Sequence, residues 1–412
     1  MRRNDSTRER FERRVRKLEE FGHRGAGTEF EDRAADYVAA ELRASGIEAT
    51  KETFDGSNSL GARLLVHVAI AAIGIALIWV LPLMTVLIGI TVLVSFTGEA
   101  STRFRLFSRL LPKARSRNVV GRILPRRCNP HLHRLIVCAH IDTQRTGLMW
   151  HDRVVRPFTA FFQKAYGPMK SPSFLLTSAF AAQTLVGIIT MLWPGNHLFM
   201  PAFGIITIVY GFSGFLLADW SRGQFTPGAC DNATGVAAAI DLAERWAGEP
   251  IDNVELVVLL CGCEESGALG AAAWLDAHRA ELKTGSSSFL VLDTLGYGPP
   301  RFLGTEHTLA AVPVRYPRKM LDVCKNAAQR LGLNGAGPYT LPTASDATAF
   351  LNRGIPGAAV LTFEDGVYIP NYHQMTDTSE RLDFDVAWRA THFGWEVLKE
   401  LALLSKRTTV TR

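Results

Sequence analysis

The chain has 412 residues, enough for two ordinary domains or one large one. With 47% hydrophobic residues and a mean hydropathy of +0.09 it is greasier than a typical soluble enzyme, so membrane segments have to be sought before any fold is drawn. Its net charge of +6 and pI near 9.0 call for an anionic partner; the excess sits beside apolar runs and no nucleic-acid motif occurs, which favours a lipid bilayer and excludes nucleic acid.

The first 30 residues are charged throughout and contain no signal-peptide core. Residues 28–44, TEFEDRAADYVAAELRA, place Phe30, Ala34, Tyr37, Val38 and Leu42 on one helical face, and Gly46 leads into a strand, IEATKETF. Between Arg63 and Glu99 lie 35 residues without Asp, Glu, Lys or Arg. One bilayer crossing takes about 20 residues, so this run predicts a transmembrane hairpin broken near Leu81 and Pro82, each arm of marginal length. Arg103, Arg105, Arg109, Lys113, Arg115 and Arg117 follow it.

Strands NVVGRIL and RLIVCA then flank the basic turn PRRCNPH. A second uncharged run of 48 residues, between Lys170 and Asp219, divides at WPGNH into two spans and is preceded by Arg153, Arg156, Lys164 and Lys170. Uncharged hairpin turns and basic flanks predict a multi-pass membrane protein whose catalytic domain and termini face the cytoplasm. The segments TRFRLFSRLL and RPFTAFFQKAY interleave basic with apolar residues as interfacial helices do.

Beyond the second run, helices from Thr234, from Ser266, around Arg318 to Leu331 and from Phe384 alternate with strands VELVVLLC, SFLVLD and GAAVLTF. The alternation predicts an α/β fold, a mostly parallel mixed sheet with helices on both faces, interrupted by two transmembrane helical hairpins. The expected division is 1–62, N-terminal helix and strand of the catalytic domain; 63–98, first hairpin; 99–170, catalytic domain with basic interfacial segments; 171–218, second hairpin; and 219–412, the main metal-binding part. Six cysteines, at 128, 138, 230, 261, 263 and 324, form no C-x-x-C pair and suit a reducing compartment.

In open α/β sheets, ligands bind beyond the carboxyl ends of the strands. His140 and Asp142 stand at such an end, as do Glu264 and Glu265 after VVLLCGC, Asp293 ending SFLVLD, and His373 in the loop after AAVLTF; Asp231, in GACDNATG, precedes a helix. Two histidines with several carboxylates form a donor set for a pair of zinc ions, because a carboxylate can bridge two of them.

The set His140-Ile-Asp142, GACDNATGVAAAIDLA, CGCEESGALGA, LVLDTLG and YHQMTDTSERLD resembles the co-catalytic zinc aminopeptidase family, of the bacterial leucyl aminopeptidase, aminopeptidase Y and glutamate carboxypeptidase type. The similarity covers about residues 20–58 and 115–400 without the second hairpin. It implies that one zinc is held by His140 and Asp293 and the other by Glu265 and His373, with Asp231 bridging. Asp142 would hydrogen-bond the far nitrogen of His140, and Glu264 would be the general base. Asp346 and Tyr372 would face the substrate, although Ala347 stands where a histidine is often found in the family. The implied activity is hydrolysis of a peptide or other amide bond by a water activated by two zinc ions, on a membrane-associated substrate, with the oligomeric state left open. A single-zinc glutaminyl-cyclase-like acyltransferase, a non-peptidic amidase or deacylase, and a non-catalytic binding relative are the alternatives.

Overall fold

A computed structural model describes residues 2–128, 132–157, 161, 174–195, 199–282 and 287–410. Its strands are β1 (Glu48–Gly56), β2 (Ala114–Ile123), β3 (His133–His140), β4 (Val254–Cys261), β5 (Ser287–Asp293), β6 (Pro300–His307), β7 (Pro313–Arg315), β8 (Tyr339–Leu341) and β9 (Gly357–Thr362). They form one sheet in the order β1-β2-β4-β3-β5-β9-β6-β7, with β8 paired to β6.

Every residue of β4, β5 and β9 is buried, as their unbroken Val, Leu and Ala runs require of strands covered on both faces. Successive side chains go to opposite faces. Leu256, Val258 and Leu260 face a layer of helices α1 (Arg2–Glu19), α2 (Glu29–Ala44), α7 (Thr234–Gly248), α9 (Arg318–Arg330) and α11 (Phe384–Val410). Val257 and Leu259 face α8 (Leu269–Ala277) and α10 (Asp346–Leu351).

The mostly parallel expectation is corrected in part. Strands β4, β3, β5 and β9 are parallel, but β1 and β2 on one flank and β6 and β7 on the other are antiparallel. On the β6–β7 flank the helix alternation fails: β5 runs to β6 and β6 to β7 through short loops, and strands joined without a crossover helix return antiparallel. On α2, Ala34, Val38 and Leu42 are buried as expected, whereas Phe30 is 37% exposed and packs beside His23. The N-terminal α1 is buried through Phe11, Val15 and Leu18 despite its many charges.

The first uncharged run forms α3 (Leu60–Ala76) and α4 (Pro82–Ala100), the second α5 (Phe174–Leu192) and α6 (Met200–Arg222). Pro82 opens α4, where a missing N–H costs nothing. Helices α4, α5 and α6 are long and apolar enough to cross a membrane by length and composition; α3 is shorter. α3 packs on α4 and α6, and α5 on α4 and α6, around Val68, Ala71, Val92, Phe96 and Phe180. Outward-facing residues of the four helices include Ile73, Ile90, Val94, Leu185, Ile205, Ile208 and Phe215, all exposed. TRFRLFSRLL bends into a single 3-10 turn, Phe107–Leu110, rather than an interfacial helix. Most of RPFTAFFQKAY, and Asn196 and His197 of WPGNH, lie outside the described residues.

Candidate metal centre

Parallel strands bring their carboxyl ends to one edge, and the candidate residues gather there. His140 is the last residue of β3 and Asp293 the last of β5. Glu264 and Glu265 follow β4 in a loop where Cys263, Gly267 and Ala268 take positive φ. Asp231 lies just before α7, its backbone non-helical and its peptide to Asn232 cis. Asn232 ties that segment to the sheet: its side chain donates to Leu292 O at 3.0 Å and accepts from Thr294 N at 3.2 Å.

The two histidines meet on one carboxylate. His140 Nε2 lies 3.2 Å from Asp231 Oδ1 and 3.6 Å from Asp293 Oδ1. His373 Nε2 lies 3.2 Å from Asp231 Oδ2 and 3.3 Å from Glu265 Oε2. Three of these atoms, Asp231 Oδ2, Asp293 Oδ1 and His373 Nε2, are buried without a hydrogen-bond partner, and so is the other oxygen of Glu265, Oε1. Buried oxygens and imidazole nitrogens that converge without donating to one another are a donor set for a cation.

Residues 217–398 match the sequence model of peptidase family M28. The fold matches a zinc aminopeptidase from Bacillus subtilis at a TM-score of 0.54 and 13% identity, over 96% of this chain and 95% of that one. It also matches a Zn-dependent exopeptidase from Parabacteroides distasonis (TM-score 0.52, 14% identity, 95% and 97%) and a glutaminyl cyclase from Bacteroides thetaiotaomicron (TM-score 0.54, 14% identity, 95% and 97%). The fold is that of the co-catalytic zinc aminopeptidases. With the M28 match, this makes the chain a zinc-metallopeptidase-like hydrolase. No curated protein matches the sequence. The M28 match takes in Asp231, Glu264, Glu265, Asp293, Asp346, Tyr372 and His373 but begins after His140 and Asp142, which the second helix pair separates from the rest.

One contact in this site differs from expectation. Asp142 does reach the far nitrogen of His140, but through its main-chain carbonyl, 3.0 Å from Nδ1; its carboxylate is 3.8 Å away. The carboxylate is engaged elsewhere, accepting from Glu264 N at 2.9 Å and Glu265 N at 3.1 Å. Asp142 thus holds the imidazole and the loop of the two glutamates at once. Of the two substrate-side candidates, Tyr372 stacks on His373 with centroids 3.6 Å apart. Asp346 is buried behind the site, accepting from Cys138 Sγ at 3.5 Å.

The charges are strongly interdependent. Burial would raise the Asp231 carboxyl, but His140 and His373 more than offset it and hold it well below the usual range. Burial and the Asp231 charge push Glu265 up to about 7. Against burial, Glu265 and Asp231 raise His373 to about 9. Burial also lifts Glu264 well above the ordinary glutamate value. An excess of buried carboxylates over imidazoles is an environment that a divalent cation neutralises.

Three supports escaped the sequence reading. Gln144 Nε2 donates to Glu265 Oε2 at 2.9 Å. Asp377 accepts from the amides of Cys230 at 2.8 Å and Asp231 at 3.1 Å. Arg24, fully buried, donates to Ile141 O, Pro227 O and Gly228 O, clasping the segments that carry His140 and Asp231. Asp377 lies inside YHQMTDTSERLD and Gln144 two residues beyond Asp142, so polar residues four positions after His140 and His373 were the available signal; nothing near Arg24 gives one.

Proposed function

We propose that the chain is a membrane-embedded zinc-dependent metallopeptidase of aminopeptidase type, holding two zinc ions and hydrolysing an amide bond of a peptide or related substrate at the membrane. The carrying observation is the Asp231 carboxylate, each of whose oxygens faces a different histidine that has its own second carboxylate. His140 with Asp293, and His373 with Glu265, would hold one ion each. Zinc bound there would polarise an amide carbonyl and acidify a water molecule.

Glu264 is suited to move the proton. It neighbours a candidate ligand and its amide is fixed by Asp142. It would take a proton from water and return it to the leaving amine. Tyr372 and Trp150 wall the His373 side, Trp150 standing edge-on to His373 at 4.4 Å and to Trp220 of α6 at 5.3 Å. This contact between site and apolar helices supports a substrate presented at a bilayer, and the basic flanks of the apolar runs support a cytoplasmic side for the catalytic domain and termini.

Because the fold also matches a glutaminyl cyclase, a single-zinc acyltransferase is the second reading. Metal analysis of active protein separates the two: about two zinc ions per chain are expected, and one ion in fully active protein would favour the cyclase. Glu264→Gln is expected to keep both ions and lose about 10²-fold or more in kcat. Asp231→Ala is expected to lose metal and activity together. Near-normal turnover in Glu264→Gln would remove Glu264 as the base.

A further inference from the structure

Arg63 and Glu99 bound the first uncharged run in the sequence, and in the fold they close on each other. Arg63 Nη2 donates to Glu99 Oε2 at 3.1 Å, both side chains almost fully buried among apolar helices. Arg63 has a second engagement: its Nη1 donates to the main-chain carbonyl of Ser266, the residue after Glu265. Glu99 is itself anchored, its Oε1 accepting from Leu106 N at 3.3 Å and Ser108 N at 3.1 Å, with His67 Nε2 at 3.6 Å.

The loop receiving Arg63 is the one that carries Glu264 and Glu265. It turns through positive φ at Cys263 (54°), Gly267 (97°) and Ala268 (51°), a conformation that needs outside support. On the sheet side the support is Asp142 and Gln144. On the other side it is Ser57, whose carbonyl accepts from Ser266 Oγ at 2.6 Å, and Arg63. Apolar helices pack without a buried guanidinium, and an ionisable group there points to a function with its partner.

We propose that Arg63, held by Glu99, is a positioning residue for Glu264 and Glu265, so that the first apolar helix pair sets where the base and a metal ligand stand. This rests on the site reading above. In it, hydrolysis is mechanically tied to the packing of α3 against α4.

The test uses the full chain in detergent carrying Arg63→Met with Glu99→Leu. Replacing both members of a buried ion pair by apolar residues is generally tolerated by folding, yet here it removes the tether to Ser266. Zinc content and steady-state kinetics on an aminoacyl amide are measured beside wild type and Glu264→Gln. The expected result is unchanged zinc, unchanged KM, and a kcat lower by about 10- to 100-fold, the scale on which small misplacements of catalytic groups act. A double variant with wild-type kcat overturns the proposal, as does a loss confined to KM. If the double variant does not accumulate, Arg63→Lys keeps a charge on Glu99 but lacks the fork that reaches Ser266; the same fall in kcat is expected, and wild-type kcat overturns the proposal. Glu264→Gln separates the two levels. If it is inactive beside a fully active tether variant, only this inference falls; if it is fully active, the site reading falls with it.

Discussion

His133 begins β3 at the end of the strand remote from His140. Its Nε2 meets Ser288 Oγ at 2.8 Å, and burial lowers its pKa from 6.5 to about 4. Between those values the unfolded chain binds a proton that the folded chain does not, so the contribution to stability is present above pH 6.5 and is lost as pH falls toward 4. His133→Gln is expected to flatten the acid limb of a Tm-against-pH curve over that window without changing kcat at neutral pH. A curve parallel to wild type would contradict it. At this scale the candidate donors His140 and Asp293 stood out because each ends a buried strand, where a polar residue has no reason to be buried. The division of labour within Asp142 was not legible, since a sequence cannot say whether a residue reaches its neighbour by side chain or by peptide carbonyl. Arg24 was invisible for a related reason: its partners are carbonyl groups, which every residue has.

Among the elements, the four apolar helices approach one another closely at glycines. A Cβ added at Gly187 of α5 would lie 2.9 Å from Val86 Cγ2 of α4, whereas one at Gly204 of α6 would meet nothing within 4 Å. Alanine improves helix propensity by about 1 kcal/mol at either position; overpacking, at about 1–3 kcal/mol, acts only at the first. Gly187→Ala is therefore expected to lower the Tm in detergent and Gly204→Ala to leave it level or raise it; equal shifts would show that α4 and α5 do not pack this closely. The strands of the sheet centre were readable from their unbroken apolar runs, and four of the helices from residue 234 on from their alternation with those strands, whereas the six-residue α10 was not. Helix α1 was hidden because three buried residues, Phe11, Val15 and Leu18, are outnumbered by charges in a segment that reads as solvated. The short β7 and β8 carry too few residues for a period to show.

For the whole molecule, the proposed orientation places the turn after α5 opposite the catalytic domain. On a Cys128→Ser background, Gly195→Cys is expected to react with an impermeant thiol reagent applied to intact cells, and Leu403→Cys, on the exposed side of α11, to react only after lysis. The opposite pattern would invert the topology. The connectivity also sets an order in biosynthetic time. β1 pairs with β2 along its length, from Glu48↔Arg122 to Gly56↔Ala114, across the whole of the first helix pair. β4 enters between β2 and β3 only after the second pair has been made. His140 leaves the ribosome before α5 and α6, Asp231 after them, and His373 near the end. A nascent chain therefore lacks at least two of the candidate donors, Asp231 and His373, until all four apolar helices have been made.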